Sequence, residues 1–308
     1  MNFLALLAAL LLGRFRPLPS HWQADRLLSL LADFLESRFN AGERRHGLIA
    51  WLLGVGSLLL LAGGVAWLLD DLNPALGWLW NVAALYLLMG FQRFAQCFTE
   101  IQIALRMDNL PQARRVLGEW LGTSADSFST NDVVRVAIEQ YVLVVHRHIF
   151  ALFACFFLLP GPCGPILYRA AAVFSKAWSA DGTRESGDFG AVARQTFAII
   201  DWLPLRLSAV SLAVVGDFEN AIYTWRSRID QWHASDMGIV LAAVAGALAV
   251  RLRVRPLGAG DRAERGLVTT GTEADVDCME RAVGLFWRAL CLWLLLSLLL
   301  GLANLVGG

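Results

Sequence analysis

Apolar residues in this chain gather into long runs that polar residues interrupt only at intervals, and these runs dictate the kind of fold. Residues 48–69, LIAWLLGVGSLLLLAGGVAWLL, carry no charge. At about 1.5 Å per helical residue they reach about 33 Å, enough to cross a hydrocarbon core of about 30 Å. A second run, 75–91, follows after Asp70-Asp71-Leu72-Asn73-Pro74, so the two read as a helical hairpin closed by a turn of acids and a proline. Arg38, Arg44 and Arg45 precede the hairpin, and Arg93, Arg106, Arg114 and Arg115 follow it. The turn itself has no basic residue, and the positive-inside rule places it outside the cell.

Further runs extend this pattern. Met1–Leu12 is followed by Arg14 and Arg16 without a small-residue cleavage site, which reads as a short uncleaved membrane segment. Residues 283–306 form the last run; Arg281 and Arg288 at its start direct it from inside to outside, and Arg251, Arg253 and Arg255 keep the preceding stretch inside. Three apolar stretches remain, 149–168, 196–215 and 237–250. Both ends of this region must lie inside, so an odd number of crossings is forbidden. Either the short Ala/Gly-rich 237–250 or the 149–168 stretch, broken by Pro160-Gly161-Pro162-Cys163-Gly164-Pro165, enters without crossing.

Shorter segments show the period of amphipathic helices. Residues 22–39 set Leu27, Leu31, Phe34 and Leu35 against Asp25, Asp33, Glu36 and Arg38, a helix that either lies on the membrane or packs on the hairpin. Phe91, Phe94, Phe98, Ile101 and Leu105 carry the stripe of the second hairpin helix onward into the cytoplasm. Asp108 or Asn109 can cap the next helix, with Pro111 in its first turn, Leu110, Ala113, Leu117 and Leu121 on its face, and Gly122 as its stop. Ser129-Thr130-Asn131-Asp132 has capping-box spacing for a third helix. The expected fold is therefore all-α: a polytopic helical membrane protein with a small cytoplasmic helical subdomain. Its divisions are 1–91 for the N-terminal membrane helices, 92–148 for the cytoplasmic subdomain, and 149–308 for the C-terminal membrane region with loops at 179–190 and 256–280.

Composition removes several classes of function. Of 308 residues, 57% are hydrophobic and 17% charged, against about 25% charged in an average soluble domain. Zero formal net charge leaves no basic field for nucleic acid. The five cysteines show no CxxC, and neither a GxxxxGK[ST] phosphate loop nor a GxSxG elbow can be written. No metal site, cofactor or catalytic residue is called for. The partner that is called for is the lipid bilayer.

Polar residues at apolar borders supply the candidate ligand-binding positions. Asp201-Trp202-Leu203-Pro204-Leu205-Arg206 interrupts a run of spanning length with a carboxylate and a guanidinium. These are either a mutual ion pair across a proline kink or the lining of a polar pocket, with Trp202 as an aromatic wall. Tyr168-Arg169 follows the Pro/Gly breaker, as an anchor or a phosphate binder. The third cytoplasmic helix carries Asp132, Arg135, Glu139 and His146 on one stripe, either a solvated face with an Arg135–Glu139 pair or a site at the membrane boundary. His146 and His148 point about 200° apart on a helix and do not readily share one ion; basic anchoring at the headgroups is the simpler reading.

With these residues in view, the order of segments resembles the polytopic proteins of the AmpE and CobD/CbiB type. His21-Trp22-Gln23, Asp25 and Arg26, then Asp201-Trp202, Pro204, Arg206-Leu207, Gly216 and Trp225, are similar to AmpE. Arg135, Ala137 and Glu139 in VRVAIEQ, Gly161-Pro162, Gly164, Tyr168-Arg169-Ala170, Phe189-Gly190, Trp202, Pro204 and Arg206 are similar to the cobinamide-forming branch. Where that branch has an AENTSDG-like stretch, this chain reads Val142-Leu143-Val144-Val145-His146-Arg147-His148. It has Ala172, Val173 and Phe174 in place of an Asn and an Asp, and His233-Ala234-Ser235-Asp236 in place of an SPN-like motif. These departures remove groups that a magnesium nucleotide and an amine acceptor would use. The resemblance thus implies a multi-pass protein of the bacterial inner membrane, an AmpE-like accessory or sensor in cell-wall recycling and β-lactamase induction. It would bind a polar, muropeptide-like ligand or a cell-wall-recycling protein without transforming it. The second reading is an adenosylcobinamide-phosphate synthase that joins an amino-alcohol to a corrinoid carboxylate with nucleotide.

The topology has a direct test. A cysteine placed at Leu72 is expected to react with an impermeant maleimide from the periplasm, and one at Leu110 only after the membrane is opened. The reverse pattern would invert the assigned orientation.

Overall fold

The computed structural model describes residues 2–15, 24–40, 42–159, 161–179, 188–227, 237–254, 267–268 and 271–307. His21-Trp22-Gln23, Pro160, Arg255, His233–Asp236 and most of the two expected loops lie outside the described residues. The all-α expectation holds. Among the described residues, four helices are long and apolar enough to cross a membrane, Arg44–Leu72, Thr130–Leu158, Phe189–Val215 and Val276–Ala303, and a fifth span is made if Pro74–Met89 and Gln92–Arg106 act as one span bent by 41°.

The first unit comprises Met1–Gly90, Ala151–Pro204 and Leu300–Gly308. It begins with α1 (Asn2–Phe15) and α2 (Ala24–Phe39), then the predicted hairpin, α3 (Arg44–Leu72) and α4 (Pro74–Met89). Asn73 is the entire connection. Its backbone N–H closes α3 on the Leu69 carbonyl, and its side chain accepts from the Ala75 N–H to cap α4, with Pro74 at a position that has no amide to satisfy. α8 (Ala151–Leu158) and α9 (Cys163–Ala177) form a second tight pair, and α10 (Asp188–Val215) follows. A core of Leu28, Ala32, Leu35, Ala50, Val55, Phe174, Trp178 and Phe189 joins α2, α3, α9 and the start of α10.

The second unit comprises Phe91–Phe150 and Leu205–Leu299. α5 (Gln92–Arg106) buries Phe98, Ile101, Ala104 and Leu105, and α6 (Leu110–Leu121) buries Ala113, Val116 and Leu117. The Asn109 side chain caps α6 on the Gln112 N–H, and Gly122 ends it at φ 71°, a left-handed conformation that favours glycine. α7 (Thr130–Val145) starts on the expected capping box: Ser129 Oγ accepts from the Asp132 N–H at 3.2 Å, and the Asp132 carboxylate accepts from the Ser129 N–H at 3.4 Å. α11 (Phe218–Ser227), α12 (Gly238–Leu248) and α13 (Val276–Gly307) complete the helices.

α7 runs through a π-helical turn, His146–Phe150, into α8, giving one helix from Thr130 to Leu158. The 149–168 run is accordingly the end of that helix plus the start of α9, divided at the Pro/Gly breaker where helical hydrogen bonding cannot continue. Among the three uncertain stretches, α12 is about 16 Å long, too short to cross alone, and every residue in it but Ala247 is buried. Residues 149–308 are shared by the two units. The region expected to be only loop, 256–280, contributes to a short antiparallel ladder pairing β1 (Arg253–Val254) with β2 (Leu267–Val268), plus a bridge from Val250 to Thr272.

Close helix approach supplies a stability test. A Cβ on Gly164 would stand 2.0 Å from the Cys155 carbonyl oxygen, whereas one on Gly56 would meet nothing within 4 Å. Gly164→Ala is expected to lower stability in detergent by roughly 1–3 kcal/mol, and Gly56→Ala to leave it unchanged or slightly raised. Thermal melting of the two purified variants reads the difference.

Candidate functional site

The sequence candidates separate into two polar clusters, one in each unit. In the first, Tyr168 and Arg169 are consecutive on α9 and both are buried. The Tyr168 hydroxyl donates to Asp201 Oδ1 at 3.0 Å, with Tyr168 0% and Asp201 2% exposed. Phe197, one turn before Asp201, packs on the Tyr168 ring at 5.6 Å between centroids. Arg169 donates through Nη2 to Asp25 Oδ2 on α2 at 2.5 Å. α9 thus uses neighbouring side chains to hold α10 and α2. A buried carboxylate in apolar surroundings is stable only with such donors.

Trp202 is 55% exposed, so its ring lies on the outside of α10. Arg206 is half-buried, and five residues of helix set it about 140° around the axis from Asp201. The structure pairs Tyr168 with Asp201 and Arg169 with Asp25.

The second cluster begins at the N-terminal end of α7. Arg135 is held by two acids on its own helix, Nη2 to Asp132 Oδ1 at 2.7 Å and Nη1 to Glu139 Oε1 at 3.4 Å. Glu139 is buried. A polar cavity of about 360 Å³ opens here, lined by Ser129, Asn131, Asp132, Arg135, Arg251, Glu273 and Ala274. Asn131 Nδ2 donates to Glu273 Oε2 at 2.7 Å, and Arg251 Nε donates to the Gly271 carbonyl at 2.7 Å. Two guanidiniums and two carboxylates therefore share one lining, suited to a polar or zwitterionic guest. Arg251 and Glu273 were not among the sequence candidates. The segment after α12 folds back through the Val250–Thr272 bridge and delivers them, a pairing no local spacing announces.

His146 belongs to neither cluster. It is 1% exposed, with Nδ1 at 2.9 Å from the Ser208 hydroxyl, while His148 meets the edge of Phe94 at 5.4 Å between centroids. Both rings are buried, which corrects the expectation of basic anchors at the headgroups.

Comparison with known proteins decides which side of the resemblance applies. The model of the CobD/Cbib protein family matches residues 3–286. The chain belongs to the CobD/CbiB family. The cobalamin biosynthesis protein CobD of Stutzerimonas stutzeri is 32% identical over 96% of this chain and 97% of its own length. CobD of Chromobacterium violaceum is 30% identical over 80% and 79%, and CbiB of Salmonella typhimurium 24% over 93% and 94%. No solved structure matches.

Membership of CobD/CbiB overturns the AmpE-like sensor expectation, because the curated relatives carry cobalamin-biosynthesis names and nothing in the comparisons points to AmpE. The cell-wall-recycling partner and the muropeptide-like ligand rested on that likeness alone. This CobD/CbiB protein is a multi-pass protein of the bacterial inner membrane.

The first cluster generates a prediction. Tyr168→Phe leaves Asp201 buried without the hydroxyl donor and is expected to cost roughly 1–3 kcal/mol. Tyr223→Phe, at an exposed position, is expected to melt like the unaltered protein.

Proposed function

We propose that this protein is a membrane-bound enzyme of cobalamin biosynthesis that joins an amino-alcohol to a corrinoid carboxylate, consuming nucleotide. The observation that carries this reading is the match along nearly the whole chain to relatives named CobD. The geometry adds support at one place: the VRVAIEQ segment, where the sequence resembles the cobinamide-forming branch, contributes Arg135 to the lining of the polar cavity.

In this reading Arg135 and Arg251 receive an anionic group, while Asp132 and Glu273 offer acceptors to an amine or a hydrated cation. Glu139 keeps the Arg135 fork oriented from below. The acids and amides missing from Val142–His148 are replaced in this role by carboxylates that enter from the start of α7 and from the segment before α13. A cavity bounded by two chain segments distant in sequence suits a reaction between two substrates, because each can be held by its own wall.

Complementation tests the reading. Expressed at native level in a strain lacking the synthase, the protein is expected to restore growth that depends on cobalamin synthesis. Arg135→Gln and Glu273→Gln are each expected to reduce restoration at least about tenfold, the effect of losing one charge-assisted hydrogen bond of about 1.5–3 kcal/mol, with unchanged membrane levels. Failure of the unaltered, membrane-inserted protein to restore growth would overturn the assignment.

A further inference from the structure

α2 divides its surface into three sectors. Residues step by about 100° around a helix, so Leu28, Ala32 and Leu35 fall within about 60° of one another, and these are the residues buried against the protein. Leu27, Leu30, Leu31 and Phe34 fall within the next sector of about 100°. Leu27, Leu30 and Phe34 are 72%, 58% and 63% exposed. Asp25, Arg26, Ser29, Asp33, Glu36 and Ser37 fill the remaining side. The apolar stripe read from the sequence as one face is thus two faces: the first is buried against protein, and of the second Leu31 packs at its edge on the core while Leu27, Leu30 and Phe34 stay exposed among the described residues.

Position along α3 gives the depth of this exposed sector. A Cβ on Gly54 of α3 would stand 2.6 Å from Leu35 Cδ1, so α2 meets α3 at that residue. Gly54 lies about 9 Å along the axis from Leu48, where the charge-free run of this span begins. Beside Gly54, Leu52 and Leu53 are exposed on the outside of α3, so lipid-facing surface adjoins the place where α2 is seated. Helices that lie in the plane of a membrane sink about 5–10 Å into the boundary between headgroups and acyl chains. Arg38 falls on the apolar side at the C-terminal end, where its stem can run along the acyl region while the guanidinium reaches the headgroups.

We infer that α2 is an in-plane helix whose Leu27–Leu30–Phe34 sector inserts into the acyl chains of a phospholipid bilayer, while its opposite apolar sector packs on α3 and α9. The ion pair from Asp25 to Arg169 fastens the N-terminal end of this helix to α9. Trp178 Nε1, donating to the Ala32 carbonyl at 3.1 Å, fastens its middle. Lipid completes the burial that protein leaves unfinished. The inference is independent of the proposed reaction.

Spin-label depth measurement tests it. In protein whose native cysteines are replaced, nitroxides are attached singly at Leu30→Cys, Asp33→Cys and Phe34→Cys, and each variant is reconstituted in vesicles of phosphatidylethanolamine and phosphatidylglycerol. All three positions are exposed, so the label does not enter the core. The expected result is relaxation by oxygen exceeding relaxation by a water-soluble nickel chelate at 30 and 34, with the order inverted at 33. Dominance of the nickel chelate at 30 and 34 would overturn the inference. So would exclusion of both relaxers there with broadening between labels on two molecules, which would assign the sector to a second copy of the chain.

Discussion

A carboxylate carried on a lipid-crossing helix must find its donors inside the protein, because hydrocarbon offers none and leaving the group bare costs several kcal/mol. The arrangement of the first unit follows from that demand. Asp201 on α10 fixes where Tyr168 must stand, and with it the rotation of α9. That rotation turns Arg169, one residue on, toward Asp25 of α2. The same constraint in its backbone form explains the segments that do not span. α12 is too short to cross, and it is buried among protein, where irregular ends can be satisfied.

The two units meet their polar obligations differently. The first spends single hydrogen bonds to fasten helices, with apolar residues and close glycine contacts filling the rest. The second gathers charge at the start of α7, where a capping box, an Arg135 fork and a returning segment make a cavity instead of a clasp. A clasp needs one partner for each charge. A cavity needs balanced charges and space, and the lining of Asp132, Glu273, Arg135 and Arg251 provides both.

Local chemistry made much of this legible in advance. The Asn109 cap and Gly122 stop of α6 and the Ser129 capping box depend on neighbours within four residues, and each forms where the residue types place it; the expected Asp70–Pro74 turn shrinks to Asn73, with Asp70 and Asp71 inside α3. Long-range partners were hidden for the same reason. Nothing near Asp201 names Tyr168, and nothing near Asn131 names Glu273, because those distances are set by helix packing and by a ladder across 250–272. The π-helical turn at His146 was equally silent, so α7 and the apolar run after it read as two segments. The departures at Val142–His148 are local, whereas the likeness to CobD proteins extends along nearly the whole chain. One altered helix turn bears on local chemistry, whereas kinship is carried by the order of all the segments.

Asn73 gives the hairpin an unusual economy. A single side chain and its own amide end one membrane helix and begin the next, leaving no slack between two walls of the same unit. A residue inserted into the first turn of α4 would rotate all that follows by about 100°, carrying Val82, Leu85 and Leu88 out of the positions in which they are buried. The tip of this hairpin is thus poorly able to drift in length over evolutionary time, although loop tips elsewhere are where insertions are most readily absorbed.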